Sequence, residues 1–379
     1  MIAFVHSGLT YIVPFLFVLT VLVFVHEFGH YFIARRNGVR IDVFSIGFGP
    51  ELFGWYDRAG TRWKFSAIPL GGYVKMFGDS DASSGLPTAG LARMTSSERE
   101  VSFHYKRLGQ RAAIVIAGPA ANFIFAIAML AVLFMTFGQP FTPAKVGQVQ
   151  PGSAAERGGI KPGDLIVKID GGRVQSFEDV QQDVRLNPGV PMTIEVRRAG
   201  HDLAIQVTPA KTELTDRFGN HYEIGLLGIS RNGVDYVRRG PASALLQAGA
   251  ETWNLSASTL HAMWQIVIGM RGTDELGGPL RIAQMSGEVV QGGVVAVMWF
   301  MAVLSINLGL INLFPVPVLD GGHLLFYAAE ALRGKPLGQR AQEYGFRIGL
   351  ALVLTLMVFA TWNDLVHLRI VEFVKGLVT

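Results

Sequence analysis

Four stretches of this chain are apolar for long enough to cross a bilayer, which takes about 20 residues of helix. Ser7 to Val25 carries no charge, and its apolar character continues through His26, Glu27 and His30 to Ala34. Ala112 to about Phe137 is the second stretch, and the uncharged run Val289 to Leu319 contains the third. Ile348 to Asn363 is the fourth, extended by Phe346 and a snorkelling Arg347. Other segments switch to the two-residue period of strands. VFSIGFGPELFGW and TRWKFSAIPLGGYVKMF alternate apolar and polar positions around YDRAG, which predicts a β-hairpin dipping into the membrane edge. Farther on, AKVGQVQ, DLIVKIDG, PMTIEVRR and DLAIQVT predict short strands, the last two closed as a hairpin near Ala199-Gly200. SFEDVQQDVRL predicts a helix capped by Ser176, with Phe177, Val180 and Val184 on one face. TWNLSASTLHAMWQIVIGM is amphipathic and predicts either a helix along the membrane surface or a buried helix of the external domain.

These elements divide the chain into seven parts. A first transmembrane helix (1–36) is followed by a loop with the membrane-associated hairpin (37–110) and a second transmembrane helix (111–138). A strand-rich domain (144–210) and a connecting region (211–288) come next, then a third transmembrane helix (289–332) and a fourth (345–367). The expected fold is a multi-pass α-helical membrane protein of about four spans with an inserted α+β domain.

Composition agrees. Half of the 379 residues are hydrophobic and only 16% are charged, against about 25% in soluble domains. There is no cysteine, which excludes disulfides, Cys-based zinc sites and a Cys nucleophile. Net charge is only +4, and the basic residues flank apolar runs. Lipid headgroups and topology account for them, so membrane lipid and no nucleic acid is expected as partner. The start MIAFVHSGL lacks a basic n-region, and no A-x-A site follows, so the first stretch reads as a retained span rather than a signal peptide. Ala34–Arg111 holds twelve Lys or Arg and the first nine residues none. The positive-inside rule then puts both termini and residues of about 140–285 outside, and the first loop and the Arg333–Arg347 turn inside.

The chemistry lies in VFVHEFGHYFIARR. His26 and His30 are four apart, share one face of a helix and can grip one cation. Zinc takes neutral imidazole, and a catalytic site uses three protein ligands plus water. Glu27, next to the first ligand, can accept a proton from that water and pass it to a leaving amine. A Glu inside an apolar helix is costly, which argues against an idle position. The best third ligand is Asp320 in NLGLINLFPVPVLDGGHLL, which the topology brings to the same inner level; His323 is a backup ligand or a packing residue. Pro315, Pro317, Gly321 and Gly322 should interrupt the helix there, and broken backbone at membrane depth survives only where it is buried in protein or lines a wet cavity.

PGSAAERGGIKPGDLIVKIDG resembles the PDZ family, which binds an extended peptide at a sheet edge. Together with HEFGH, IPLGGYVKMFG, AGPAANF and NLFPVPVLDGG it makes nearly the whole chain resemble the site-2 protease family, most closely its bacterial RseP-type branch. That resemblance implies one zinc per chain on His26, His30 and Asp320, with Glu27 as catalytic base. It implies that Asn307 and Asn312 occupy family positions, Asn312 in substrate handling. It further implies a bacterial inner-membrane enzyme whose extracytoplasmic PDZ domain filters out bulky ectodomains. Its substrates would be single-pass membrane proteins already trimmed by another protease, such as anti-sigma factors or remnant signal peptides. Relatives can carry two PDZ domains, and only one is visible here. The competing expectations are a non-catalytic PDZ-bearing membrane scaffold and an ion transporter; the latter usually shows internal repeats, which this sequence lacks.

Overall fold

The structure is a computed structural model; it describes residues 2–78, 94–174, 176–215, 221–231, 235–269, 277–335 and 337–367. The expected external C-terminal end, beyond residue 367, lies outside the described residues. The chain forms two compact units, 1–133 with 242–379, and 134–241.

In the larger unit, α1 (Ile2–Arg36) is apolar on all sides and ends in Arg35 and Arg36, which suit a helix C-terminus. Strands β1 (Ile41–Tyr56) and β2 (Arg62–Met76) follow, then short α2 (Ser96–Val101) and long α3 (Leu108–Thr136). The hairpin turns at YDRAG as expected, but its register shows more than two simple strands. Val43–Ile46 pair on one side with Arg62–Phe65 and on the other with Gly72–Lys75, while Glu51–Tyr56 pair with Arg62–Ser66. Each strand therefore bends back on itself, at Gly47 and Gly49 in β1 and Gly71 in β2, all with positive φ. Gly47 is needed there: a Cβ would also meet the Ile68 carbonyl oxygen at 2.7 Å. Segment 72–76 ends up as an outer edge of this sheet. Phe44, Ile41 and Val39 bury its inner face with Ala34, Phe103 and Ile114.

The other half of this unit holds α6 (Pro241–Val267), α7 (Pro279–Gln291), α8 (Gly293–Leu313), α9 (Asp320–Arg333) and α10 (Gln339–His367). Among the described residues, four helices are long and apolar enough to span a membrane: Thr10–Arg36, Leu108–Thr136, Gly293–Leu313 and Arg340–Val366. The expected third span, 289–332, is three pieces. Gly292 separates α7 from α8, and Phe314–Leu319 runs irregularly before α9, as Pro315 and Pro317 require. α6 is longer than the amphipathic stretch suggested; it buries Ala244, Ala248 and Thr252, and Thr259 bonds Asn307 of α8, so it packs into the helical unit.

The smaller unit carries β3 (Gln139–Phe141), β4 (Val146–Val149), α4 (Ala154–Gly158), β5 (Leu165–Ile169), β6 (Gly172–Arg173), α5 (Phe177–Leu186), β7 (Met192–Arg198), β8 (His201–Val207), β9 (Ala210–Thr215), β10 (His221–Leu226), β11 (Ile229–Arg231) and β12 (Asp235–Val237). A four-stranded antiparallel sheet in the order β6-β5-β7-β8 packs with α5, whose Phe177, Val180 and Val184 are buried and whose Ser176–Asp179 capping box is complete. The strands of 211–237 were not legible as such in the sequence. They extend the unit past residue 210, and β12 closes it by pairing with β3.

Candidate metal centre

Helix α1 presents His26 and His30 on one face, both buried. Their Nε2 atoms are 3.2 Å apart, and Asp320 Oδ2 lies 3.2 Å from the first and 3.4 Å from the second. A tetrahedral zinc with ligand bonds of about 2.0–2.1 Å sets its ligand atoms about 3.3–3.4 Å apart. The three separations fit that triangle. Asp320 Oδ2 is buried and faces the two imidazole nitrogens, as a carboxylate oxygen that shares a cation with them would. No other group of three or more metal-binding side chains stands together among the described residues.

Each of the three side chains is set by its own local device. His30 Nδ1 is 2.9 Å from the Ile114 carbonyl of α3; donating its N–H there leaves the Nε2 lone pair facing the cluster. His26 Nδ1 faces the Asn122 amide at 3.1 Å. Asp320 opens α9 straight after the proline break, and the two following glycines make that turn possible. A Cβ at Gly321 would meet the Leu313 and Phe314 carbonyl oxygens at 2.2 Å, and one at Gly322 the Val316 oxygen at 2.2 Å. Glycine also lets α3 reach the imidazoles: a Cβ at Gly118 would sit 2.2 Å from His30 Nε2 and 2.9 Å from His26 Cε1, and one at Gly29 2.2 Å from the Ala117 oxygen. Arg111 of α3 and Glu330 of α9 form an ion pair at 2.6 Å and fasten the two helices.

The three side chains open on a cavity of about 210 Å³, lined also by Glu27, Gly72, Tyr73, Val74, Asn312, His323 and Tyr327. Glu27 receives the Val74 backbone N–H from the sheet edge. Gly72 has no room for a side chain, since a Cβ would meet the Ser45 oxygen, Val23 and Glu27. Asn312 lines the cavity and Asn307 does not; the Asn307 Oδ1 instead accepts the Thr259 hydroxyl from α6. His323 lines the cavity with its ring 5.4 Å from Phe346 and is not one of the three converging groups. The hairpin is tied to α1 through Asp57, which accepts bonds from the Tyr31 hydroxyl, the Trp63 indole and the Ala59 and Thr61 amides. Burial alone would raise the Asp57 carboxyl, but the Trp63, Thr61 and Tyr31 bonds hold it below the usual carboxylate range.

Asn122, Gly118 and the Ile114 carbonyl were missed by the reading of single motifs. The available signal was AGPAANF, a glycine and an amide four apart in an otherwise apolar span.

The family model for peptidase family M50 matches residues 14–356. A protein of Agrobacterium fabrum bearing the name of a zinc metalloprotease is 50% identical over 359 residues, covering 94% of this chain and 95% of its own length. A similarly named protein of Rhizobium meliloti is 49% identical over 364 residues, 95% and 97% of the two chains. Metalloprotease MmpA of Caulobacter vibrioides is 39% identical over 391 residues, 97% and 98% of the two chains. Among solved structures, the PDZ domain of the SdrC-like protein from Listeria innocua covers 25% of this chain and 98% of its own, at 20% identity and a TM-score of 0.19.

Proposed function

The chain belongs to peptidase family M50, the zinc metalloproteases of site-2 type, and from that premise we propose that it hydrolyses peptide bonds within or beside transmembrane segments, using one zinc held by His26, His30 and Asp320. It is a multi-pass membrane protein. The observation that carries the proposal is the triangle of two Nε2 atoms and one carboxylate oxygen with zinc-like edges, opening on a polar cavity beside Glu27. A bound zinc supplies Lewis acidity toward the scissile carbonyl and makes water a competent nucleophile near neutral pH.

The chain's own residues do the rest. Glu27 accepts a proton from the attacking water as its oxygen bonds to the carbonyl carbon. The same proton is then returned to the amide nitrogen, and the carbon–nitrogen bond breaks to leave a carboxylic acid and an amine. The Val74 N–H holds Glu27 in place. The Asn312 amide, at the cavity, steadies the substrate carbonyl. A transmembrane helix hides its peptide bonds, so it must be unwound first. Segment 72–76 offers a sheet edge along the cavity on which an unwound segment can lie as an added strand. Exposed Leu52, Phe53, Trp55 and Tyr56 on the same sheet suit the lipid interface.

The substrates are single-pass membrane proteins already shortened by another protease, including anti-sigma factors and remnant signal peptides. The enzyme sits in a bacterial inner membrane with the 134–241 unit outside, acting as a PDZ-type filter. The deciding experiment measures zinc content and cleavage of a model transmembrane substrate in wild type and Glu27→Gln. The variant should keep its zinc and lose activity by about 10²–10⁴-fold. A variant that still cuts at the wild-type rate would remove Glu27 from the mechanism, and a wild type without zinc would remove the centre.

A further inference from the structure

Asn122 is completely buried in α3, and its backbone oxygen accepts the Ser305 hydroxyl of α8 at 2.9 Å, which pins its position from a third helix. Its side-chain nitrogen lies 3.1 Å from His26 Nδ1, while Oδ1 is buried without a partner. In that orientation the amide donates to the Nδ1 lone pair, and the ring proton has to sit on Nε2. That proton would point at His30 Nε2 and Asp320 Oδ2, where a cation needs a lone pair. A half-turn of the amide about its terminal bond cures both faults: Oδ1 gains the Nδ1–H, and Nε2 is freed to coordinate.

We propose that Asn122 is the positioning residue of His26: its Oδ1 accepts the Nδ1–H and holds the imidazole in the metal-binding tautomer. The inference rests on the reading of His26 as a ligand. The two histidines thus solve one problem differently. His30 uses a backbone carbonyl, which no substitution removes, and His26 depends on a single side chain. Outer partners of this kind are typically worth 10–100-fold in metal affinity.

The test is zinc affinity by chelator competition on the full-length detergent-solubilised protein, with the thermal melt as a control for folding. Asn122→Leu keeps the volume and removes the acceptor; it should bind zinc about 10–100-fold more weakly. Asn122→Asp keeps an acceptor and has no N–H to give, and should bind at least as tightly as wild type. Wild-type affinity in Asn122→Leu overturns the proposal. So does a tenfold or greater loss in Asn122→Asp, which alone decides the matter if the leucine variant fails to fold. A wild type that takes up no zinc overturns the ligand assignment itself, a different result from either.

Discussion

One methyl group is enough to keep the two imidazoles from turning inward. At Gly118 a Cβ would fall 2.2 Å from His30 Nε2, and this ring is locked on its far side by the Ile114 carbonyl, not a side chain free to swing away. Gly118→Ala should therefore lower zinc affinity at least tenfold and cost about 1–3 kcal/mol by overpacking; equilibrium dialysis against a chelator and a thermal melt read the two effects separately. Unchanged affinity would mean that α3 can retreat. The three converging side chains were legible in the sequence because their signals are local: two histidines one turn apart, and a carboxylate after a proline break. Gly118 and Asn122 were opaque because their roles exist only where α3 crosses α1, with Asn122 96 positions from His26 in the chain. A glycine or an amide in an apolar span reads equally well as helix packing.

Elements show the same division between local pattern and remote pairing. The hairpin and its turn followed from alternation and YDRAG, but the folding back of β1 and β2 depends on glycines whose positive φ no pattern announces. That folding leaves 72–76 as the edge beside the cavity. A proline there removes a backbone donor and its ring obstructs an added strand. Met76→Pro, at a position that lines the cavity and whose N–H, by alternation with Val74 and Phe77, points away from β1, should reduce cleavage of transmembrane substrates at least tenfold while zinc content stays at the wild-type level; equal cleavage would exclude this edge as the substrate's resting place. At the other end of the unit, buried Asp364 of α10 accepts the Gly278, Leu280 and Arg281 amides and so caps α7 from a distant helix. Asp364→Ala strands those donors and should cost about 1–3 kcal/mol, visible as a lower melting temperature and faster amide exchange across 278–291. In sequence Asp364 looks like an ordinary charge near the end of a span, since its partners begin 83 positions away.

On the scale of the whole molecule, the smaller unit is an insertion with a closed neck. Gln139 pairs with Val237 and Phe141 with Asp235, so the chain leaves the helical unit and returns to it through two adjoining strands. Its buried core, from Ala144 to Leu227, lies wholly between them and would be removed without leaving half a core behind. The expected boundaries of 144–210 would instead have cut through this unit, parting β11 from its partner β4 and Leu227 from the core it helps to fill. The short, polar strands of 211–237 carry too weak an alternation to be read from sequence. Replacing residues 142–234 with Asn-Gly should close β3 and β12 into a tight hairpin. All three metal-binding side chains, Glu27 and the sheet edge belong to the other unit, so the shortened protein should keep its zinc and cut a pre-trimmed substrate at a rate near wild type. If the inserted unit acts as a size filter, the full-length enzyme should leave intact a substrate that still carries its folded external domain, and the shortened protein should cut it. Cleavage assays on the paired substrates separate the possibilities: an untrimmed substrate that stays uncut by an otherwise active, zinc-loaded deletion protein would show that exclusion arises within the helical unit itself.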